Sequence, residues 1–129
     1  MQKIILIISL FISSLFSNEL LVTFDSNSYK INNTQKQQLE KYVDFLFTNY
    51  DLSINLKGHT DSIGRDDENM KLSIKRAETI KAYFKNEGII ESRINTIACG
   101  ETRPKVSNKT EENRQMNRRV EANSFVTFE

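Results

Sequence analysis

Leu52-Ser53-Ile54-Asn55-Leu56-Lys57-Gly58-His59-Thr60-Asp61 is the stretch that decides the fold class. Leu52, Ile54 and Leu56 alternate with Ser53, Asn55 and Lys57, which is the two-residue period of a strand with one buried face. Gly58 and Gly64 bracket a polar loop. Beyond it a helix is predicted from near Asp67 to Gly88, a residue suited to a C-cap. Ile74, Ala77, Ile80 and Phe84 recur at helical spacing and mark its core stripe. A strand that feeds a helix through a polar loop places Asp61 beside a helix N-terminus, where free N–H groups favour anions.

The same periods extend in both directions. Upstream, Leu20-Leu21-Val22-Thr23-Phe24 is a short apolar strand. Thr34 and Gln37 have the spacing of a capping box, and the helix they open is predicted to run to about Tyr50. Leu39, Val43, Leu46 and Tyr50 form its stripe, widened by Tyr42 and Phe45. Downstream, Ile94 to Cys99 is a third strand and Thr110 to Met116 a short helix. Val120 to Phe128 is a last strand, with Val120, Ala122, Ser124, Val126 and Phe128 on one face. The order β-α-β-α-β-(α)-β predicts an α+β fold, a two-layer sandwich with helices on one face of a mixed four-stranded sheet.

Composition narrows the function classes. A chain of 129 residues is the size of one domain. Its 18 basic and 17 acidic residues leave a formal charge of +1, so no basic excess draws it to nucleic acid. The single cysteine cannot close an internal disulfide. One histidine and one cysteine do not make an ordinary zinc cluster, and no metal or cofactor is expected. Residues 1–17 read as a signal peptide, and 18–129 as the folded domain. Lys3 supplies the positive n-region, Ile4 to Ile12 is apolar, and Ser13, Ser14 and Ser17 are small. Cleavage after Ser17 is expected although Leu15 at −3 is large. The apolar run is shorter than the roughly 20 residues a spanning helix needs, the alternative being a retained anchor. No cysteine near the junction marks a lipoprotein leader, and no spanning helix is expected once the leader is removed.

Asp61 and Arg76 carry the chemistry. Asn69, Ser73 and Arg76 are spaced i, i+4, i+7 and share a helix face, rotated away from the core stripe. A carboxylate and a guanidinium in one pocket suit a zwitterion, with an ammonium on Asp61 and a carboxylate in the fork of Arg76. Asp25, at the end of the first strand, forms another wall if the first two strands are neighbours. Spacing alone favours a plainer role for Arg76, an exposed ion pair worth under about 1 kcal/mol.

The motifs reach beyond this pair. Gly58-His59-Thr60-Asp61, Gly64, Asn69, Leu72-Ser73 and Arg76-Ala77 are followed by Gly100-Glu101-Thr102-Arg103-Pro104 and by Asn117-Arg118-Arg119-Val120. With Val22-Thr23-Phe24-Asp25 at the start, this series resembles the OmpA-like C-terminal peptidoglycan-binding domain family over residues 20–127. The resemblance implies the family's ligand, the diaminopimelate residue of the peptidoglycan stem peptide, whose free stereocentre carries an ammonium and a carboxylate. It implies that Asp61 holds the ammonium and Arg76 the carboxylate, with Thr60, Asn69, Leu72 and Asp25 lining the pocket. Lysine lacks the second carboxylate and would leave Arg76 unpaired, which is a means of discrimination. The expected partners are peptidoglycan and an outer-membrane or envelope protein, and the expected place is the periplasm. The alternative is a protein-interaction domain of an envelope or motor complex on the same scaffold.

Other residues take plainer roles. Asn117-Arg118-Arg119 is a charged entry to a strand, a support for the pocket loop, or a contact to sugar or peptide. Support is favoured, with Arg118 facing the site. His59 is read as structural, Cys99 as a buried small hydrophobe, and Asp66-Asp67-Glu68 as charge complementing the helix dipole. Catalysis is not expected. Ser62, His59 and Asp61 are too close in sequence to align as a triad, and Cys99 with His59 has no evident oxyanion loop. Because neither Asp61 nor Arg76 lies on the core stripe, replacing either by alanine is expected to abolish wall binding and spare the fold.

Overall fold

The computed structural model describes residues 19–127, so the leader and Phe128 lie outside the described residues. The elements are β1 (Glu19–Thr23), α1 (Asn33–Thr48), β2 (Leu52–Gly58), α2 (Asp66–Asn86), a 3-10 turn (Glu91–Arg93), β3 (Ile94–Ala98), α3 (Glu111–Asn117) and β4 (Arg119–Val126). They form a four-stranded sheet in the order β1-β4-β2-β3. β4 is antiparallel to both neighbours, and β2 and β3 are parallel. The α+β sandwich with a mixed sheet is therefore as the periodicity predicts. The last strand in sequence inserts between the first two, so β1 and β2 are not neighbours.

One buried cluster holds the layers together. Leu20 and Val22 of β1, Ile54 and Leu56 of β2, Ile94 of β3 and Val120 and Ala122 of β4 join Leu39, Tyr42, Val43 and Leu46 of α1 and Ala77, Ile80 and Phe84 of α2. The Tyr42 and Phe84 rings stack with centroids 5.8 Å apart and join the two helices. Gly58 lets α2 lie directly on β2, since a Cβ there would sit 1.8 Å from the Ser73 carbonyl oxygen.

Several boundaries differ from the sequence reading. The capping box is Asn32 with Gln35, not Thr34 with Gln37. Asparagine caps at least as well as threonine, and the Gln35 amide also donates to the Thr23 carbonyl, tying the cap to β1. Gln38 donates to the Leu21 carbonyl at 2.8 Å. Two carbonyls of the edge strand are thus occupied, which blunts its tendency to pair with another chain. α1 stops at Thr48, where the backbone and side-chain N–H groups of Asn49 both bond the Phe45 carbonyl. Tyr50 is consequently 84% exposed and outside the stripe. Ile74 is only half-buried. Val126 is exposed, beyond Asn123, the last β4 residue paired with β1 among the described residues.

Candidate functional site

The C-terminal end of β2 converges with the chain after β1, the start of α2, and α3. Arg76 is among the largest fully buried side chains. Its Nε donates to the Ser28 carbonyl at 2.8 Å, Nη1 to the His59 carbonyl at 2.9 Å and Nη2 to the Asp25 carbonyl at 3.2 Å. The guanidinium also lies 5.3 Å from the centroid of the Phe24 ring. This corrects the exposed ion pair that spacing alone favours. It also corrects the expectation that alanine at 76 spares the fold. The helix face carrying Asn69, Ser73 and Arg76 is turned from the apolar stripe yet buried, because the loops after β1, β2 and β3 close over it.

Asp61 is 6% exposed. One carboxylate oxygen accepts from the Ile63 N–H at 3.1 Å, the other from Arg118 Nη1 at 3.1 Å. Arg118 divides its donors among three segments, with Nε to the Phe24 carbonyl at 2.9 Å and Nη2 to Glu111 at 2.9 Å. Arg118 thus fastens together the end of β1, the Asp61 loop and α3. Among the described residues Asp61 is ion-paired with Arg118 alone, Arg76 feels its charge without contact, and the exposed Glu111 pairs with both Arg118 and Arg114. Burial pushes the Arg76 guanidinium down to about 10; the Asp61 charge opposes that shift and Arg118 adds to it. Arg76 remains a cation at neutral pH, and the site carries surplus positive charge.

The remaining expected residues surround these. Asn69 Nδ2 reaches the Ile63 carbonyl at 3.1 Å and Glu101 at 3.0 Å, fixing the Asp61 loop to the loop after β3. The Thr60 hydroxyl donates to the Asp61 carbonyl at 2.9 Å. Asp25 reaches Arg76 through its backbone while its side chain is exposed. Leu72 is half-buried beside Asn69, in a groove that continues along α2. His59 is structural through its backbone, which exchanges hydrogen bonds with Arg119. Its ring is 2% exposed, and neither ring nitrogen has a hydrogen-bond partner among the described residues. Cys99 is buried.

Sequence reasoning missed Glu111, and gave Asn117 a supporting role without its partners. Glu111 partners Arg118 from seven residues away, a spacing that carries no signal across a helix end. Asn117 is fully buried and organises the loop before α3. Its side chain accepts from the Lys105 and Val106 N–H groups and donates to the Val106 carbonyl and to Asn108. Its place in the Asn-Arg-Arg-Val motif was the available signal.

This arrangement has known counterparts. Residues 23–118 match the OmpA family. The chain is 38% identical over 104 residues to outer membrane porin F of Pseudomonas fluorescens, covering 81% of this chain and 32% of the porin. It is 31% identical over 98 residues to the peptidoglycan-associated lipoprotein of Buchnera aphidicola, covering 76% of this chain and 57% of the lipoprotein. The fold superposes on the crystal structure of the peptidoglycan-associated lipoprotein from Burkholderia pseudomallei with a TM-score of 0.79 and 24% identity, covering 81% and 89% of the two chains. A carboxylate and two guanidiniums buried where a β-α loop meets an inserted last strand belong to an OmpA-like domain, and this chain belongs to the OmpA family. It spans about a third of the porin's length.

Proposed function

We propose that this domain binds cell-wall peptidoglycan non-covalently through the diaminopimelate residue of the stem peptide, anchoring itself or a partner complex to the wall. The observation that carries the reading is the buried charge balance. Among the described residues Arg118 pairs with Asp61, the one buried carboxylate, and Arg76 has no carboxylate paired with it, so an incoming carboxylate neutralises a surplus cation. Three backbone carbonyls occupy three of the five N–H groups of Arg76, leaving two for the ligand. The ligand ammonium takes the free lone pairs of Asp61, and the ligand carboxylate takes Arg76. The turn from Asp25 to Ser28 is bonded to the guanidinium, so the ligand takes the two donors that its carbonyls and that of His59 leave free. The name of the Buchnera relative, peptidoglycan-associated lipoprotein, supports the same polymer. The role is binding without chemistry, in the periplasm, after export by the N-terminal leader.

The test is a pull-down of the protein on insoluble peptidoglycan sacculi, with free meso-diaminopimelate and free lysine as competitors. Displacement by diaminopimelate and not by lysine is expected. Asp61→Asn should lose retention while keeping a cooperative melt. Equal displacement by lysine, or full retention of folded Asp61→Asn, would refute the zwitterion pocket.

A further inference from the structure

A groove of about 340 Å³ leads away from Asn69 and Leu72 to Lys75, with Tyr29 and Ile63 along its wall. Tyr29 is 43% and Ile63 60% exposed, an apolar surface left open among the described residues. The Lys75 ammonium stands 5.5 Å from the centroid of the Tyr29 ring. Neighbouring cations are already matched, Arg65 by Asp67 at 3.1 Å and Lys71 by Glu68 at 3.7 Å. Among the described residues no carboxylate pairs with Lys75. An aromatic face that holds an ammonium in place, beside apolar side chains, makes a site for an anionic group on a partly apolar chain.

We propose that this groove is a second, carboxylate-accepting subsite, which holds the stem-peptide residue adjoining the zwitterionic one. The inference rests on the peptidoglycan reading above. Continuity decides the occupant, because Asn69 and Leu72 line both the groove and the proposed pocket. Size agrees, since the volume is at the small end for ligand clefts and suits a short peptide rather than a folded partner. Lys75 precedes Arg76 in sequence but lies about 100° round the helix from it. The two cations therefore address different carboxylates of one ligand, Arg76 the buried one and Lys75 the exposed one.

Calorimetry with two probes tests this. The probes are free meso-diaminopimelate and a stem tetrapeptide that contains it with free carboxylates on the neighbouring residues. The unaltered protein should bind the tetrapeptide more tightly than the free amino acid. Lys75→Gln should weaken tetrapeptide binding by about three- to fivefold, as for an exposed ion pair, and leave diaminopimelate binding unchanged. Tyr29→Ala should act in the same direction, and amidating the neighbouring carboxylates should abolish the effect of Lys75→Gln. Equal affinity of the unaltered protein for both probes, or an equal effect of Lys75→Gln on both, overturns the subsite alone. Failure of the unaltered protein to bind either probe overturns the zwitterion pocket and the subsite with it.

Discussion

Replacing Arg76 by alanine should destabilise the fold as well as remove a ligand contact. The substitution strips the donor from three carbonyls, those of Asp25, Ser28 and His59. The Asp25 carbonyl still accepts from the Ser28 N–H and the His59 carbonyl from the Arg119 N–H, so each loses one of two bonds, about 1 kcal/mol. The Ser28 carbonyl is left without a partner at about 1–3 kcal/mol, and the gross loss is roughly 3–5 kcal/mol. Against this, the variant no longer desolvates a charge. The fall of the Arg76 pKa to about 10 puts that relief at about 3 kcal/mol. The lost contact with the Phe24 ring adds back about 1 kcal/mol. The net expectation is a loss of about 2 kcal/mol, a substantial share of the roughly 5–15 kcal/mol that holds a domain together. Urea melts at neutral pH measure it, with the midpoint falling by about 1 M for a slope of about 2 kcal/mol/M. Arg76→Met, which keeps the bulk and lacks the donors, should lose a similar amount. If either variant melted with the parent, the carbonyl bonds would not be what fastens the turn after β1 to the Asp61 loop. One consequence bears on binding. Loss of wall retention in Arg76→Ala is interpretable only where the variant is shown to be folded, so Asp61→Asn is the cleaner probe of the pocket.

Three further outcomes are expected. Burial, then the Arg119 charge, pushes His59 down to about 4, below its ordinary value near 6.5. The unfolded chain therefore binds the proton first, and stability present above about pH 6.5 drains as pH falls toward 4. The drop between about pH 7 and pH 5 should be about 2 kcal/mol in denaturant melts, and His59→Phe should flatten it; an unchanged slope in that variant would assign the loss to other groups. Gly58→Ala should cost about 3 kcal/mol by melting temperature, because the new Cβ meets the Ser73 carbonyl, which is backbone and cannot turn aside; a parent-like melt would mean that α2 does not lie on β2. Leu46→Ala, at a position with 0% exposure, should lose about 2–5 kcal/mol; a negligible loss in the same melts would mean that α1 presents another face to the sheet.

Much of this molecule was legible before any coordinates. The alternation through Leu56, the stripe through Phe84 and the helix-ending Gly88 are local signals, set by the pleat, the helical turn and a positive φ of 104° at that glycine. The cap of α1 was misplaced because Asn32/Gln35 and Thr34/Gln37 satisfy the same spacing, and only the Gln35 contact with β1 chooses between them. Tyr50 was misassigned because its periodicity continues past the point where Asn49 ends the helix. In the candidate site, residue identities were readable but electrostatic roles were not. Arg76 has the same helical phase whether it faces water or is covered by a turn from a distant segment.

The sequence by itself determined the element types, the α+β class and the cluster of polar residues after β2, because helical and strand periods and loop motifs depend on near neighbours along the chain. The tertiary structure alone decided that β4 lies between β1 and β2. It alone decided that Arg76 is buried under a turn 48 residues away, and that Arg118 joins Asp61 across 57 residues and Phe24 across 94. Such contacts follow from chain topology, and the energy of a buried charge depends on which groups the fold brings around it rather than on its neighbours in sequence.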